Sequence, residues 1–229
     1  MFQGAHDGQL AFCSEADIRA AQDVLLHRHV TYLADRSPFY RKLFRDSDIE
    51  AASVSGLDDL HRLPFTTRED LQAHNRDFLC VDEAETVDLC LTSGTTGRPV
   101  AMLQTASDLE RLACNEEMGL RTAGITRGDR VLCAAAIDRC FMAGLAYFLG
   151  LSRIGAQAIR GGSSSISMLA ELVRSLRPTA IIGVPTLILS VGQRLMSEGA
   201  EPAAFGVQRL VCIGEPVRQQ DFSLSPLGQ

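Results

Sequence analysis

The chain has 229 residues and a net charge of −6 at pH 7, and carries no basic tract, so it is long enough for one large or two small domains and poorly suited to nucleic acid. No apolar run reaches the roughly 18 residues of a membrane span, and Met1-Phe2-Gln3-Gly4-Ala5-His6-Asp7 lacks the basic-then-apolar form of a signal peptide. Seven cysteines, an odd number with no C-x-x-C pair, argue against a disulfide framework or a zinc knuckle and for a reducing cytoplasm.

Residues 1–80 read as a helical N-terminal region. Ser14-Glu15-Ala16-Asp17 has the form of an N-cap with an acidic first turn, and Ile18, Ala21, Val24 and Leu25 recur at helical spacing toward Leu33. Ser37-Pro38 stops that helix. Phe39, Tyr40, Leu43 and Phe44 then form an aromatic cluster among Arg36, Arg41, Lys42 and Arg45, a pattern of packing on one face and solvated charge on the other. Ser53-Val54-Ser55-Gly56 reads as a linker, and Thr67 is placed to cap a short helix with Asp70 in its first turn. His27 and His29, two apart on a helix, point to different faces and make poor joint metal ligands. No metal site is predicted.

Residues 81–229 alternate strands with helices. Strands over 87–92 and 100–103 flank Thr92-Ser93-Gly94-Thr95-Thr96-Gly97-Arg98-Pro99. Gly94 and Gly97 let the backbone approach a polyphosphate, Thr92, Ser93, Thr95 and Thr96 add hydroxyl donors, and Arg98 offers a fixed cationic fork. The Walker pattern is absent, since no Lys-Ser/Thr follows and the next run reads as a strand. The loop is predicted to be exposed and poorly ordered without nucleotide.

Ser107 is a predicted N-cap for a helix to about Thr122, and Gly128-Asp129-Arg130 turns the chain into the strand 131–135. Arg127-Gly128-Asp129 spells an adhesion tripeptide, but a turn before a buried strand accounts for it. A helix over 141–153, a strand over 156–159, a Gly/Ser loop with Ser165 as N-cap and a helix over 166–176 follow. Residues 180–184 form an apolar strand, Pro185-Thr186 starts the next helix, and 210–213 is one more strand. Such a pattern predicts an α/β fold: a mainly parallel sheet flanked by helices. Ligands in such sheets gather at the carboxyl ends of strands, here Ala136-Ile137-Asp138, Val184-Pro185 and Ile213-Gly214-Glu215. Cys140 as a thiol nucleophile lacks a base, because all five histidines precede residue 75.

The loop at 92–99 resembles the phosphate-binding signature [ST]-S-G-[ST]-T-G-x-P of adenylate-forming enzymes. The resemblance to their phenylacetate-CoA ligase branch extends over Ser37-Pro38-Phe39-Tyr40-Arg41-Lys42-Leu43-Phe44, the run from Leu63 to Leu71, Phe141 with Gly144-Leu145 and Gly150, Arg153-Ile154-Gly155, and Gly214-Glu215-Pro216. It implies an N-terminal portion of an enzyme that joins a small carboxylic acid to ATP, held with Mg2+, as an acyl-adenylate, and passes it to a thiol, usually coenzyme A. It further implies that Thr92, Ser93, Gly94, Thr95, Thr96, Gly97 and Arg98, with Gly214, Glu215 and Pro216, hold the nucleotide. Phe141, Gly144 and Pro185 are placed by it at the acid. Ile137-Asp138-Arg139-Cys140 departs from the Tyr/Gly-rich stretch of the family, and Arg98 stands where lysine is common.

The family's aromatic-Gly-x-[ST]-Glu adenine motif, its ribose aspartate and the lysine of its small C-terminal domain have no match. None of Tyr32, Tyr40 and Tyr147 precedes glycine, and the single lysine, Lys42, lies in the helical region. The sequence is therefore expected to be a fragment whose catalytic residues are not identified. Two function classes remain: part of a carboxylate–CoA ligase, or a non-catalytic remnant that binds a ligand or a partner. A homodimer stays open, and neither nucleic acid nor membrane is expected as a partner.

Overall fold

The computed structural model describes residues 10–92 and 99–229. They divide into two compact units, Met1–Ala106 and Ser107–Gln229.

The first unit begins with α1 (Glu15–Arg36), capped by Ser14, whose hydroxyl accepts the Asp17 N–H at 3.2 Å. Ser37 ends α1 and caps α2 (Pro38–Asp46), accepting the Tyr40 N–H while its own hydroxyl donates to the Asp77 carbonyl at 2.9 Å. Proline at N1 suits the helix start, where no N–H is needed. The aromatic cluster packs inward: Phe39 stacks on Phe78 with ring centroids 3.9 Å apart, and Tyr40 meets Phe78 edge-on. Thr67 and Asp70 form the capping box of α3 (Arg68–Ala73).

The linker expected at residues 53–56 is part of this unit's core. Val54 is fully buried with Val30 and Phe44, and its carbonyl meets His27 Nδ1 at 2.7 Å. Asp23 accepts the Leu57 N–H at 2.7 Å, and a Cβ on Gly56 would lie 2.4 Å from that carboxylate. Serine and glycine here permit close packing, which composition alone reads as a loop. The unit closes with an antiparallel pair, β1 (Thr86–Leu91) and β2 (Ala101–Thr105), registered with Leu91 opposite Ala101.

In the second unit, α4 (Ala106–Thr122) starts one residue before the expected cap, so Ser107 lies within the helix. Four strands follow: β3 (Arg130–Ala134), β4 (Gln157–Arg160), β5 (Ala180–Gly183) and β6 (Arg209–Cys212). They form a parallel sheet in the order β4-β3-β5-β6, with α5 (Met142–Ile154), α6 (Ile166–Leu176) and α7 (Pro185–Ser197) as the crossovers. Ser165 caps α6 as expected.

Successive strand side chains face opposite sides, and they divide between two cores. Val131 and Cys133 of β3 and Ala180 and Ile182 of β5 pack with Leu120 of α4 and Leu151 and Ile154 of α5. Leu132 and Ala134, Ile159 and Ile181 pack with Leu169 and Val173 of α6 and Val191 and Leu195 of α7. The fold is thus α/β, a parallel sheet covered on both faces and preceded by a helical layer. No helix among the described residues is long and apolar enough to cross a membrane.

Candidate functional site

All four parallel strands run the same way, so the loops that follow them rise from one edge. β3 leads to β4 on one side, while β5 leads to β6 on the other. Between β3 and β5 the connections diverge, and α5 and α7 leave toward opposite faces. Open α/β sheets carry their ligand crevice at such a point.

The β3 loop, residues 135–141, is shaped by α5. Gly144 donates its N–H to the Ala136 carbonyl at 2.9 Å, and a Cβ there would lie 2.3 Å from that oxygen. Only glycine lets the helix start this close, which explains residue 144 in packing terms. Phe141 stands as N-cap of α5 without a side-chain capping bond and is 49% exposed. Arg139 and Cys140 hold positive φ values of 58° and 57°, sparsely populated for residues with side chains. Asp138 accepts the Ser163 hydroxyl at 3.1 Å, which ties this loop to the one after β4.

On the other side of that switch point, Pro185 is buried at the first position of α7 and Gly214 turns the chain at φ 75°. Glu215 reaches back to α7: Oε2 accepts the Thr186 N–H at 3.0 Å and Oε1 accepts the Thr186 hydroxyl at 2.8 Å. The edge is therefore bonded in pairs, β3 loop with β4 loop and β5 loop with β6 loop. Among the described residues no hydrogen bond joins residues 135–141 to residues 184–186.

The strand-end stretches read from the sequence, Ala136-Ile137-Asp138, Val184-Pro185 and Ile213-Gly214-Glu215, follow β3, β5 and β6 at this edge, and Phe141, Gly144 and Pro216, named by the resemblance, lie in the same loops or at the start of α5. Sequence reading missed Ser163 and Thr186. Ser163 was visible as part of a Gly/Ser loop, whereas Thr186 pairs with a carboxylate 29 residues away and leaves no local signal. Burial pushes the Cys133 thiol up to about 12, and the four described histidines, His27, His29, His61 and His74, all belong to the first unit.

In the first unit, residues 93–98, which include Ser93, Gly94, Thr95, Thr96, Gly97 and Arg98, lie outside the described residues, as does the expectation about their exposure. At the base of that loop Thr92 and Val100 close the β1-β2 pair. The Thr92 N–H donates to the Val100 carbonyl at 3.0 Å, and the Thr92 hydroxyl accepts the Val100 N–H at 2.9 Å. That hydroxyl keeps its own proton to donate.

A cleft of about 700 Å³ also opens in the first unit, lined by Tyr32, Arg36, Arg41, Arg76 and Cys80 among others. Its cations are already engaged: Arg36 with Asp35, Arg76 with Glu83, and Arg41 with the carbonyls of Ala34 and Asp35 at the end of α1. Nothing there converges on a reacting atom. No three His, Cys, Asp or Glu side chains among the described residues gather to hold a metal.

Comparison with known proteins agrees with this architecture. The family model described as "AMP-binding enzyme" matches residues 9–223. A phenylacetate-coenzyme A ligase of Thermus thermophilus is 28% identical over 200 residues, covering 87% of this chain and 45% of the relative. The phenylacetate-coenzyme A ligase of Escherichia coli K12 is 27% identical, with 78% and 41% covered. The crystal structure of 2-hydroxyisobutyryl-CoA ligase in complex with 2-HIB-AMP and CoA superposes with a TM-score of 0.84 at 25% identity, over 91% of this chain and 46% of that one. The chain spans less than half the length of the curated relatives it matches. It belongs to the AMP-binding enzyme family, and what it carries is akin to the N-terminal portion of a phenylacetate-CoA ligase-like enzyme.

Proposed function

We propose that this chain forms the phosphate-gripping and acid-binding part of an ATP-dependent carboxylate–CoA ligase. The carrying observation is the switch point at the sheet's carboxyl edge, between β3 and β5, where the loops that bear Phe141, Gly144, Pro185 and Gly214 leave the strands. Gly94, Gly97 and the hydroxyls from Thr92 to Thr96 would cradle the outer phosphates, with Arg98 as their counter-charge. Phe141 and Pro185 offer apolar surface to the body of a small carboxylic acid, and the turn Gly214-Glu215-Pro216 flanks the nucleotide.

The reaction expected of the whole enzyme is attack of a carboxylate oxygen on the α-phosphate, with pyrophosphate leaving. A thiol, that of coenzyme A, then attacks the acyl carbon of the adenylate and AMP leaves. The share of this chain in that reaction is to bind and orient the phosphates and the acid. The developing negative charge needs a placed cation, and losing one such donor costs about 10²–10³ in rate. Lys42 is on α2, 70% exposed and paired with Asp46. Arg98 is committed to the outer phosphates. The chain by itself is therefore expected to bind ATP weakly and to turn over at background.

Two measurements test this reading. Calorimetry should give weak, salt-sensitive and phosphate-dependent binding of ATP, with adenosine weaker still, since the contacts are mainly electrostatic. Tight adenosine binding that ignores the phosphates would contradict it. ATP–pyrophosphate exchange with a panel of aryl and aliphatic acids should stay at background for residues 1–229. Exchange at an enzyme-like rate would show that the essential cation is already in this chain.

A further inference from the structure

The donors at the start of α7 are all accounted for. Pro185 has no N–H, Thr186 gives its N–H to Glu215, and Leu187 and Ile188 give theirs to the Val184 carbonyl, each at 3.0 Å. The amino terminus of a helix is ordinarily ready to receive an anion. Here the anion is supplied by the chain itself, from the turn after the neighbouring strand. Both Glu215 oxygens point at one residue, Thr186, so the carboxylate behaves as a two-point latch between the β5 and β6 loops.

The latch has two consequences. It fixes the direction in which Gly214, at φ 75°, turns the chain away from β6. It also leaves α7 without a free first-turn donor for a phosphate. We propose that Glu215 is a positioning residue, which acts through Thr186 to hold the Gly214-Glu215-Pro216 turn in its ligand-ready shape and does not itself contact the nucleotide. This rests on the reading of that turn as a nucleotide neighbour.

The position of Glu215 separates this role from direct ligation, because Thr186 has to matter as much as the carboxylate. ATP affinity is measured by calorimetry on the full chain and on Thr186→Val, Glu215→Gln, Glu215→Ala and the double variant Thr186→Val/Glu215→Ala, well below the melting temperature of each. Glu215→Ala should weaken ATP about tenfold and Thr186→Val about threefold to tenfold. The double variant should be no weaker than Glu215→Ala, since both remove one interaction. Glu215→Gln, which keeps an oxygen acceptor, should recover most of the loss. Amide exchange at Thr186 should rise in the same order.

A loss in Glu215→Ala with Thr186→Val unchanged would mean that the carboxylate touches the nucleotide and would overturn the proposal. Unchanged ATP affinity in every variant would reduce the latch to a packing detail and overturn it as well. If the unaltered chain binds no ATP, the nucleotide reading falls and takes this proposal with it. Should Glu215→Ala fail to fold, Thr186→Val against Glu215→Gln decides by the same criterion.

Discussion

The two edges of the parallel sheet are built on opposite plans. At the amino edge, Asp129 is buried and its carboxylate accepts the Thr126 N–H at 2.7 Å, the Thr126 hydroxyl at 2.9 Å, the Thr179 hydroxyl at 2.7 Å and the Arg209 guanidinium at 3.2 Å. One side chain thus ties together the approaches to β3, β5 and β6. At the carboxyl edge the ties join neighbours only in pairs, the central gap is unbridged among the described residues, and two residues with side chains sit at positive φ. One buried carboxylate fixes the strands at the amino edge, and the carboxyl edge keeps exposed groups and strain at the switch point between β3 and β5.

Breaking the amino edge should have the largest effect. Asp129→Ala takes the shared acceptor from the Thr126 N–H and hydroxyl, the Thr179 hydroxyl and the Arg209 guanidinium and is expected to cost about 3 kcal/mol, read as a lower denaturant midpoint, with ATP affinity unchanged while the protein is folded. The Thr179 hydroxyl, with Thr126 and Arg209, holds the Asp129 carboxyl below the ordinary aspartate range. A depressed folded value means stability that is complete above about pH 4, the unfolded aspartate value, and is lost as pH falls through the folded one. Melting followed from pH 7 to pH 2 should show that loss in the unaltered chain and a flatter curve in Asp129→Asn. A mutant as stable as the parent would remove the contrast between the edges.

Next in size is Gly144→Ala. The added Cβ would meet the Ala136 carbonyl at 2.3 Å, a backbone atom that cannot rotate away. Forced repacking of this kind costs about 2 kcal/mol. Because Gly144 presses on the loop that carries Phe141, the same change should weaken acid binding, which calorimetry with phenylacetate in the presence of ATP would detect. A stable variant with unaltered binding would show the loop to be more compliant than its geometry implies.

What sequence could reveal follows this same division. Strand runs such as Ala180-Ile181-Ile182-Gly183 and caps such as Ser14, Thr67 and Ser165 are local signals, and their elements lie where periodicity placed them, within about two residues. Asp129 was legible only as a turn residue, because its partners Thr179 and Arg209 are 50 and 80 residues away. Val54 was hidden in a Ser/Gly stretch, since burial there depends on α1 and α2 packing over it. At the candidate site, Pro185 and Gly214 could be placed because they follow strand ends, whereas Phe141 and Gly144 were named through the resemblance. The pairings Asp138–Ser163 and Thr186–Glu215 could not, because they depend on which strands end up as neighbours.

A third, smaller effect sharpens the functional side. Arg98→Ala should weaken ATP about tenfold, the order of one charge-assisted contact, and should lower the salt dependence of binding. An Arg98→Ala chain that binds ATP like the parent would remove the cation from the phosphate grip.

The smallest effect is expected at Asp138. Its carboxylate accepts one hydroxyl, that of Ser163 at 3.1 Å, and lies 3.6 Å from Arg139 Nε. The two charged side chains are 52% and 85% exposed, so water competes with both contacts. Exposed pairs of this kind are worth about 0–1 kcal/mol, and the contact spans two loops without burying either. Asp138→Ala should therefore stay within about 0.5 kcal/mol of the parent in a denaturant series. Asp129→Ala makes the same chemical change at the other edge, so the pair isolates what burial and saturation contribute. A loss at Asp138 approaching that at Asp129 would mean that the carboxyl edge is held as firmly as the amino edge, and the contrast between the two edges would fall.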